Sequence, residues 1–285
     1  MKYLFVGYSK TGTKTIASAF KLLGFEVYDL EETMLFHAHQ WIEIMDPKTS
    51  ESEKRRIIYS MYKNIDVVTD HPANYYWELV REVFPECKFI FHEREVETWY
   101  KSVEATVLSY QQIYSFPDLI TKPLRRFFIP THYWANKASE KMCPFMYGNG
   151  DGFGMSFYFQ KMPLDEFKMK RLYRAHNAMF LRSCDQDSDL KKKTLILESY
   201  DDFCWEKICG WLDVKIPGNV PFPHENKEGE IVKKLLEGTN REGQVNLKNT
   251  CEAEFRSRCK LVFGAVVVGI FIFRNREDFF KVFNK

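Results

Sequence analysis

Several common sequence signatures are missing from this chain of 285 residues. Its formal net charge is only +2, which gives no support for binding nucleic acid. No pair of cysteines has the C-x-x-C spacing of a zinc site, and we expect no bound metal. No internal repeat is visible, which argues against a solenoid or a propeller.

The cysteines and the amino terminus indicate the compartment. The seven cysteines are odd in number, which favours free thiols in a reduced environment. A strand-like pattern begins almost at once, and the run from Met1 to Val6 is too short for the apolar core of a signal peptide. We therefore expect a cytoplasmic protein.

The stretch from Tyr3 to Thr15 organises the chain. An apolar run of strand length ends at Gly7, a polar loop with Gly12 inside it follows, and a helical pattern then runs to Gly24. In a strand, tight loop and helix, backbone N–H groups and the helix dipole converge on one point and can hold a phosphate. The alternative is an ordinary strand-to-helix turn with solvated lysines.

The loop lacks the lysine of a Walker A sequence, G-x-x-x-x-G-K-[ST]. Gly7 and Gly12 have the required separation, but Thr13 stands in the lysine position. The lysines of the loop are Lys10 and Lys14. Lys10 lies early in the loop, from where it could reach a bridging atom rather than the terminal phosphates.

Strand and helix patterns alternate along most of the chain. Strand patterns end near residues 7, 29, 70 and 92, and a further one spans 193–198. This order predicts an α/β fold, a P-loop three-layer αβα sandwich with a central parallel sheet and a binding crevice at the carboxyl ends of the strands. Lys10, Asp70 and Arg94 each follow a strand end, so the sheet would bring them to one edge.

Two stretches depart from this alternation. Residues 109–163 are rich in Tyr, Phe, Pro and Gly, and we interpret them as a lid or pocket wall inserted into a domain of residues 1–227. The C-terminal extension, 228–285, contains an apolar segment, 261–273, that is uncharged for 13 residues and has basic flanks. As a helix this segment would be roughly 20 Å long, short of the ~30 Å hydrocarbon core of a membrane. It is either a membrane anchor with snorkelling flanks or a buried strand or helix.

The residues described so far resemble the sulfotransferases that use 3′-phosphoadenosine-5′-phosphosulfate (PAPS). Tyr8 to Lys14 resembles the family's 5′-phosphosulfate loop, Y-P-K-S-G-T-T. Arg94 and Ser102 have the spacing of its 3′-phosphate pair. Thr69 to Pro72 resembles the T-H-x-P segment that carries its catalytic base.

A less studied branch of sulfotransferase-like proteins, found in fungi and animals, is a more specific match. Its patterns appear here in order. They are G-x-x-R-T-G-T-x-S and L-G-F at 7–15 and 23–25, T-D-x-P at 69–72, W-Y-x-S at 99–102, W-E-x-L-C-x-F-L at 205–212, and P-F-P followed by an asparagine at 221–226.

The resemblance implies transfer of a sulfuryl group from PAPS to a hydroxyl or amine of a small, hydrophobic acceptor, with no metal and with 3′-phosphoadenosine-5′-phosphate (PAP) as product. Lys10 would stabilise the leaving phosphosulfate bridge. Arg94 and Ser102 would hold the 3′-phosphate. Asp70 would be the general base, with His71 as the alternative. Since consecutive strand residues point in opposite directions, only one of the two would face the acceptor.

The resemblance also implies a set of cofactor-binding residues. The better-known enzymes have an adenine-stacking tryptophan at the position of Thr15, and Tyr200 is the candidate to replace it here. The phosphosulfate would be held by Lys10, Thr11, Gly12, Thr13, Lys14 and Thr15.

Two other functions stay open on the sequence. A P-loop nucleotide or small-molecule kinase using ATP and Mg²⁺ would need a lysine after Gly12. A non-catalytic, membrane-tethered nucleotide-binding protein would not need Lys10, Asp70, Arg94 and Ser102 together. The sequence carries no signal for an oligomeric state.

Overall fold

The computed structural model describes residues 1–113, 124, 126–147, 164–224 and 247–274. Helices and strands alternate within them, as the sequence predicts. The strands are β1 (Tyr3–Phe5), β2 (Val27–Tyr28), β3 (Val67–Val68), β4 (Lys88–His92) and β5 (Thr194–Leu197). The helices are α1 (Thr13–Leu22), α2 (Leu30–Ile44), α3 (Glu51–Tyr62), α4 (Trp77–Val83), α5 (Val96–Ile113), α6 (Pro130–Tyr147), α7 (Glu166–Gln186), α8 (Ser188–Lys192), α9 (Trp205–Leu212) and α10 (Leu247–Arg274).

The sheet is parallel throughout, with the strand order β2-β3-β1-β4-β5. The first strand is central, since Tyr3 pairs with Val67 on one side and with Lys88 on the other. The chain first builds the sheet on the β3 side and then crosses to the β4 side. Such a reversal leaves a crevice at the carboxyl ends of the strands, where α/β proteins bind their ligands.

Helices cover both faces of the sheet. Successive strand side chains point to opposite faces. Leu4 and Phe89 therefore join the buried cluster formed with α3, α4 and α7, whereas Phe5 and Ile90 join the cluster formed with α1 and α9. These two cores make the molecule a three-layer αβα sandwich and confirm the predicted fold class.

Two helices begin later than their sequence patterns predict. The pattern after Pro72 predicts a helix from Ala73 to Phe84, but the chain first makes turns and α4 begins only at Trp77. The pattern of 203–212 predicts a helix capped by Asp202, but Cys204 is the N-cap of α9. Residues 200–202 form a 3₁₀ turn, in which the Asp202 carboxylate accepts from the Glu198 backbone N–H at 2.7 Å.

The stretch 109–163 is partly helical. Helix α5 continues into it as far as Ile113, and α6 lies wholly within it. Residues 114–123 and 148–163 lie outside the described part of the chain, so the lid stays a prediction. Helix α6 packs on α2 through a small-residue cluster of Met34, Ala38, Ala135, Ala138 and Met142.

The apolar segment 261–273 lies in the second half of α10. The first half of this helix contacts the region of α6: the Thr131 backbone N–H donates to Glu254 at 3.2 Å. Further along, Leu261 is 60 % exposed and Phe263 is 70 % exposed. Within the described residues, no helix combines the length and the apolarity needed to cross a membrane. Membrane attachment stays a prediction.

Candidate active site

The loop between β1 and α1 is built around a close approach at Gly7. A Cβ atom there would lie 2.6 Å from Phe5 Cε1, 2.7 Å from Thr11 Oγ1 and 3.0 Å from the His92 carbonyl oxygen. The Thr11 hydroxyl donates to the Tyr8 carbonyl oxygen at 2.6 Å and closes the turn. The sequence thus uses glycine here because any side chain would collide with the neighbouring strand.

The loop ends at the amino terminus of α1, which has the character of an anion site. Gly12 is the N-cap with φ 103°, and it provides no side-chain cap for the helix. The first helical hydrogen bond is donated by the Ile16 N–H to the Gly12 carbonyl oxygen at 3.0 Å. The N–H groups before it, including those of Thr13 and Lys14, carry the positive end of the helix dipole.

Lys10 supplies a partly buried cation in the loop. Its backbone has φ 71°, in the left-handed region. Burial lowers the pKa of its ammonium, Asp70 opposes this effect, and the positive charges of Arg94 and Lys14 add to it. Among the described residues the ammonium has no hydrogen bond and no ion pair. An anionic ligand would remove part of the cost of burying this charge.

Arg94 lies just past β4 and reaches the same loop. Its Nη1 donates to the Lys10 carbonyl oxygen at 3.2 Å, and its Nε donates to Thr98 Oγ1 at 3.4 Å. Its Cζ lies 5.7 Å from the centroid of the Tyr200 ring. Arg94 thus contacts both the loop at Lys10, as the chain order predicts, and the ring of Tyr200.

Tyr200 offers an accessible ring beside this arginine. The ring is 51 % exposed, and its inner side lies 5.0 Å from His92 and 5.5 Å from Phe203, measured between ring centroids. Burial raises the pKa of its hydroxyl, and Arg94 lowers it in part. A flat base could stack on a ring held in this way.

Ser102 differs from its partner in the predicted pair. It lies on α5 and is half-buried, and its carbonyl oxygen accepts from the Thr106 hydroxyl at 2.8 Å. The contact with Arg94 comes instead from Thr98, one helical turn earlier. Sequence reasoning passed over Thr98, although its spacing from Arg94 was available as a signal.

Asp70 is held by two donors. Its Oδ2 accepts from the Thr13 hydroxyl at 3.1 Å, and its Oδ1 accepts from the His71 backbone N–H at 2.8 Å. The residue is 4 % exposed and has φ 66°. The candidate base is thus connected directly to the first turn of α1.

His71 lies against Asp70, which corrects the expectation that the two side chains diverge. Asn74 Nδ2 donates to the Gly7 carbonyl oxygen at 3.0 Å, and this leaves Asn74 Oδ1 to accept from His71 Nδ1 at 3.0 Å. Burial lowers the pKa of His71, against an opposing effect of Asp70, so the ring is neutral with its proton on Nδ1. Its Nε2 then lies 3.8 Å from Asp70 Oδ1. The two groups come together because the positive φ of Asp70 ends the strand geometry.

Two aromatic rings fix the backbone of the loop and of the arginine. Trp99 Nε1 donates to the Ser9 carbonyl oxygen at 3.0 Å, and the Tyr173 hydroxyl donates to the Arg94 carbonyl oxygen at 2.6 Å. The rings stack with their centroids 4.2 Å apart and their planes at 16°. Trp99 belongs to the W-Y-x-S pattern, but its support of the loop, like the support that Tyr173 gives Arg94, depends on tertiary contacts.

The remaining loop residues are turned toward the protein. Thr15 is 8 % exposed, and the ammonium of Lys14 forms an ion pair with Asp29, at the end of β2. The backbone N–H of Lys14 remains available to an anion at the helix terminus. Asp29 did not stand out in the sequence, where it is one of many short strand ends.

The fold and this edge of the sheet define an α/β protein with a glycine-containing loop between its first strand and first helix. The model of a family described as the sulfotransferase domain matches residues 2–231, and the chain belongs to this family. A relative from Aspergillus versicolor, named Ava biosynthesis cluster protein M, is 24 % identical over 234 residues, which span 79 % of this chain and 80 % of the relative. Family membership indicates a transferase of the sulfotransferase type.

Proposed function

We propose that this chain transfers a sulfuryl group from PAPS to a hydroxyl or amine of a small, hydrophobic acceptor. One observation carries the proposal: Arg94 hydrogen-bonds to the backbone of Lys10, which places two cations beside the open amino terminus of α1. A nucleotide with phosphates at both the 5′ and the 3′ positions requires two separate anion sites of this kind.

The donor set of the site suits such a nucleotide. The 5′-phosphosulfate matches Lys10 and the backbone of Thr11 to Thr15, while the 3′-phosphate matches Arg94, with Ser102 on the following helix. The exposed face of Tyr200 is suited to the adenine. PAPS would supply an activated sulfuryl group. The protein would position this group, stabilise the negative charge that develops and accept the proton of the acceptor.

Two side chains would carry the chemistry. The ammonium of Lys10 is partly desolvated, so it stabilises negative charge that develops on a leaving oxygen more strongly than it would in water. Asp70 would accept the proton of the acceptor, and the alternative base is His71, whose Nε2 lies 3.8 Å from Asp70 Oδ1. Thr13 holds the Asp70 carboxylate in position and, through the loop, connects it to the anion site.

The first experiment is calorimetric binding of PAP, the expected product, compared with ADP and with ATP plus Mg²⁺. We expect PAP to bind best, and Arg94→Ala to weaken PAP by about 10- to 100-fold, the range for losing a charge-assisted contact, without weakening ADP. Arg55→Ala is the control, because that arginine pairs with Glu82 between α3 and α4 and should leave binding unchanged. Stronger binding of ATP would favour a kinase, and no nucleotide binding would favour a non-catalytic protein.

We also keep the predictions of a cytoplasmic location and of membrane attachment through 261–273. Exposed apolar residues between basic flanks are the features that support attachment. Flotation with vesicles of neutral lipid, and with vesicles containing an anionic lipid, tests it, with Phe263→Asp expected to abolish binding. Equal recovery of the wild type and of Phe263→Asp in the lipid-free fraction would contradict membrane attachment.

A further inference from the structure

Lys14, Asp29 and Thr69 form a buried cluster beside the anion site, which we call the Asp29 cluster. Lys14 Nζ pairs with Asp29 Oδ2, and Asp29 Oδ1 accepts from the Thr69 hydroxyl at 2.9 Å. Asp29 is 1 % exposed, and the Lys14 side chain is 30 % exposed. The cluster therefore joins the first turn of α1 to the ends of β2 and β3.

Both charges of the pair are maintained by their contact. Burial alone would raise the pKa of Asp29, but Lys14 brings it below its usual value. Burial alone would lower the pKa of Lys14, and Asp29 instead raises it above its usual value. A buried carboxylate needs such a partner, because leaving it unpaired costs several kcal/mol. The ammonium of Lys14 is thus held at Asp29 by a mutual stabilisation of the two charges.

A second connection runs beside the first. Thr13, which precedes Lys14, donates to Asp70, and Asp70 follows Thr69. Thr13 is thereby connected directly to Asp70, and Lys14 is connected to Thr69 through Asp29. A shift of the first turn of α1 relative to β3 would strain both connections together.

We propose that Lys14 and Asp29 are positioning residues, which set the first turn of α1 and the Asp70 carboxylate relative to each other, and that the Lys14 ammonium does not contact the nucleotide. The proposal deepens the proposed function and rests on it for its effect on nucleotide binding. Its effect on the protein alone can be measured without any ligand.

The chain contains a matched control. Lys21 Nζ pairs with Glu32 Oε1 at 2.7 Å and joins α1 to the first turn of α2, about two turns further along α1 from the loop. Lys21→Met removes this ion pair but leaves Glu32 Oε2, the other carboxylate oxygen, to accept from the Asp29 backbone N–H at 3.0 Å. The test variants are Lys14→Met, Asp29→Asn, their combination, and Lys14→Arg, which keeps the charge.

The first measurement is calorimetric PAP binding. We expect Lys14→Met and Asp29→Asn each to weaken binding about tenfold, the double variant to be no weaker than either single one, and Lys14→Arg to retain most of the affinity. Lys21→Met should stay within about twofold of the wild type. If Asp29→Asn binds PAP as well as or better than the wild type while Lys14→Met loses affinity, the ammonium contacts the phosphate and the proposal is wrong.

The second measurement is amide hydrogen exchange of the free protein. We expect faster exchange at 11–16 and 69–74 in Asp29→Asn and in the double variant, and unchanged exchange in Lys21→Met. The double variant buries no unpaired charge, so its faster exchange would report the lost connection itself. Unchanged exchange in both segments would overturn the positioning role. Absence of PAP binding by the wild type would refute the proposed function, while the exchange result would still decide whether the cluster positions Asp70.

Discussion

Replacing Gly12 by alanine tests whether packing against the rest of the protein fixes the conformation of the loop between β1 and α1. Gly12 has φ +103°, a value that residues with a Cβ rarely adopt, and its Cβ would lie 2.5 Å from Phe203 Cε1 and 2.6 Å from Phe203 Cζ. Phe203 is 4 % exposed and belongs to the core on the α1 side of the sheet, so its ring cannot simply swing into solvent.

The loss of stability expected for Gly12→Ala has two parts, a backbone cost and a packing cost. The left-handed backbone costs an L-residue about 1–2 kcal/mol. Forcing a methyl group into a packed core costs about 1–3 kcal/mol more. A loss of about 3 kcal/mol in the free energy of unfolding corresponds to a fall of about 6–12 °C in Tm for a domain of this size.

Alanine substitutions at two other glycines serve as controls that separate the backbone cost from the packing cost in a thermal unfolding assay. Gly24 has φ +85° but nothing within 4 Å of its Cβ, so Gly24→Ala should show the backbone cost alone, a fall of about 3–6 °C. Gly210 lies in α9 with open space around its Cβ, and Gly210→Ala should stabilise the protein by about 0.5–1 kcal/mol. If Gly12→Ala melts no lower than Gly24→Ala, the contact with Phe203 does not constrain the loop.

Two further predictions concern the core. Tyr62→Phe should lower the free energy of unfolding by about 1–3 kcal/mol, because it removes the acceptor of the buried Trp41 Nε1–H at 3.1 Å; Tyr59→Phe, an exposed position on the same helix, is the control that should not change it. Burial lowers the pKa values of His37 and His176 from 6.5 to about 4, so the unfolded chain takes up protons first as the pH falls. In urea unfolding, the free energy of unfolding should be constant down to about pH 6.5. By pH 5 His176 should lower it by about 2 kcal/mol, and the partly exposed His37 should lower it by less. A free energy of unfolding that does not change between pH 6.5 and pH 5 would contradict this prediction.

The sequence was sufficient to predict the position of residues that follow from chain order. Lys10, Asp70 and Arg94 each come directly after a strand, and a parallel sheet brings all such positions to one edge. Their convergence needed no knowledge of side-chain packing. Tyr200 was proposed from the family resemblance instead, and it lies just past β5.

The supporting residues could not be found in this way, because each depends on a contact between distant parts of the chain. Asp29 is 40 residues from Thr69, and Asn74 is 67 residues from Gly7. Their residue types are common in turns and caps, so neither stood out locally. The expected divergence of Asp70 and His71 was wrong because it assumed that the strand geometry continues past Thr69.

The stacked Trp99 and Tyr173 have a consequence for ligand choice. One ring is bonded to the loop backbone at Ser9 and the other to the backbone of Arg94, and the arginine is itself bonded to Lys10. Hydrogen bonds therefore fix the loop backbone and Arg94 relative to each other, and a ligand that contacts both must match their spacing. Substitutions confined to the loop would change how tightly an anion is held, whereas accepting a molecule with differently spaced charges would require α5 and α7 to be repacked.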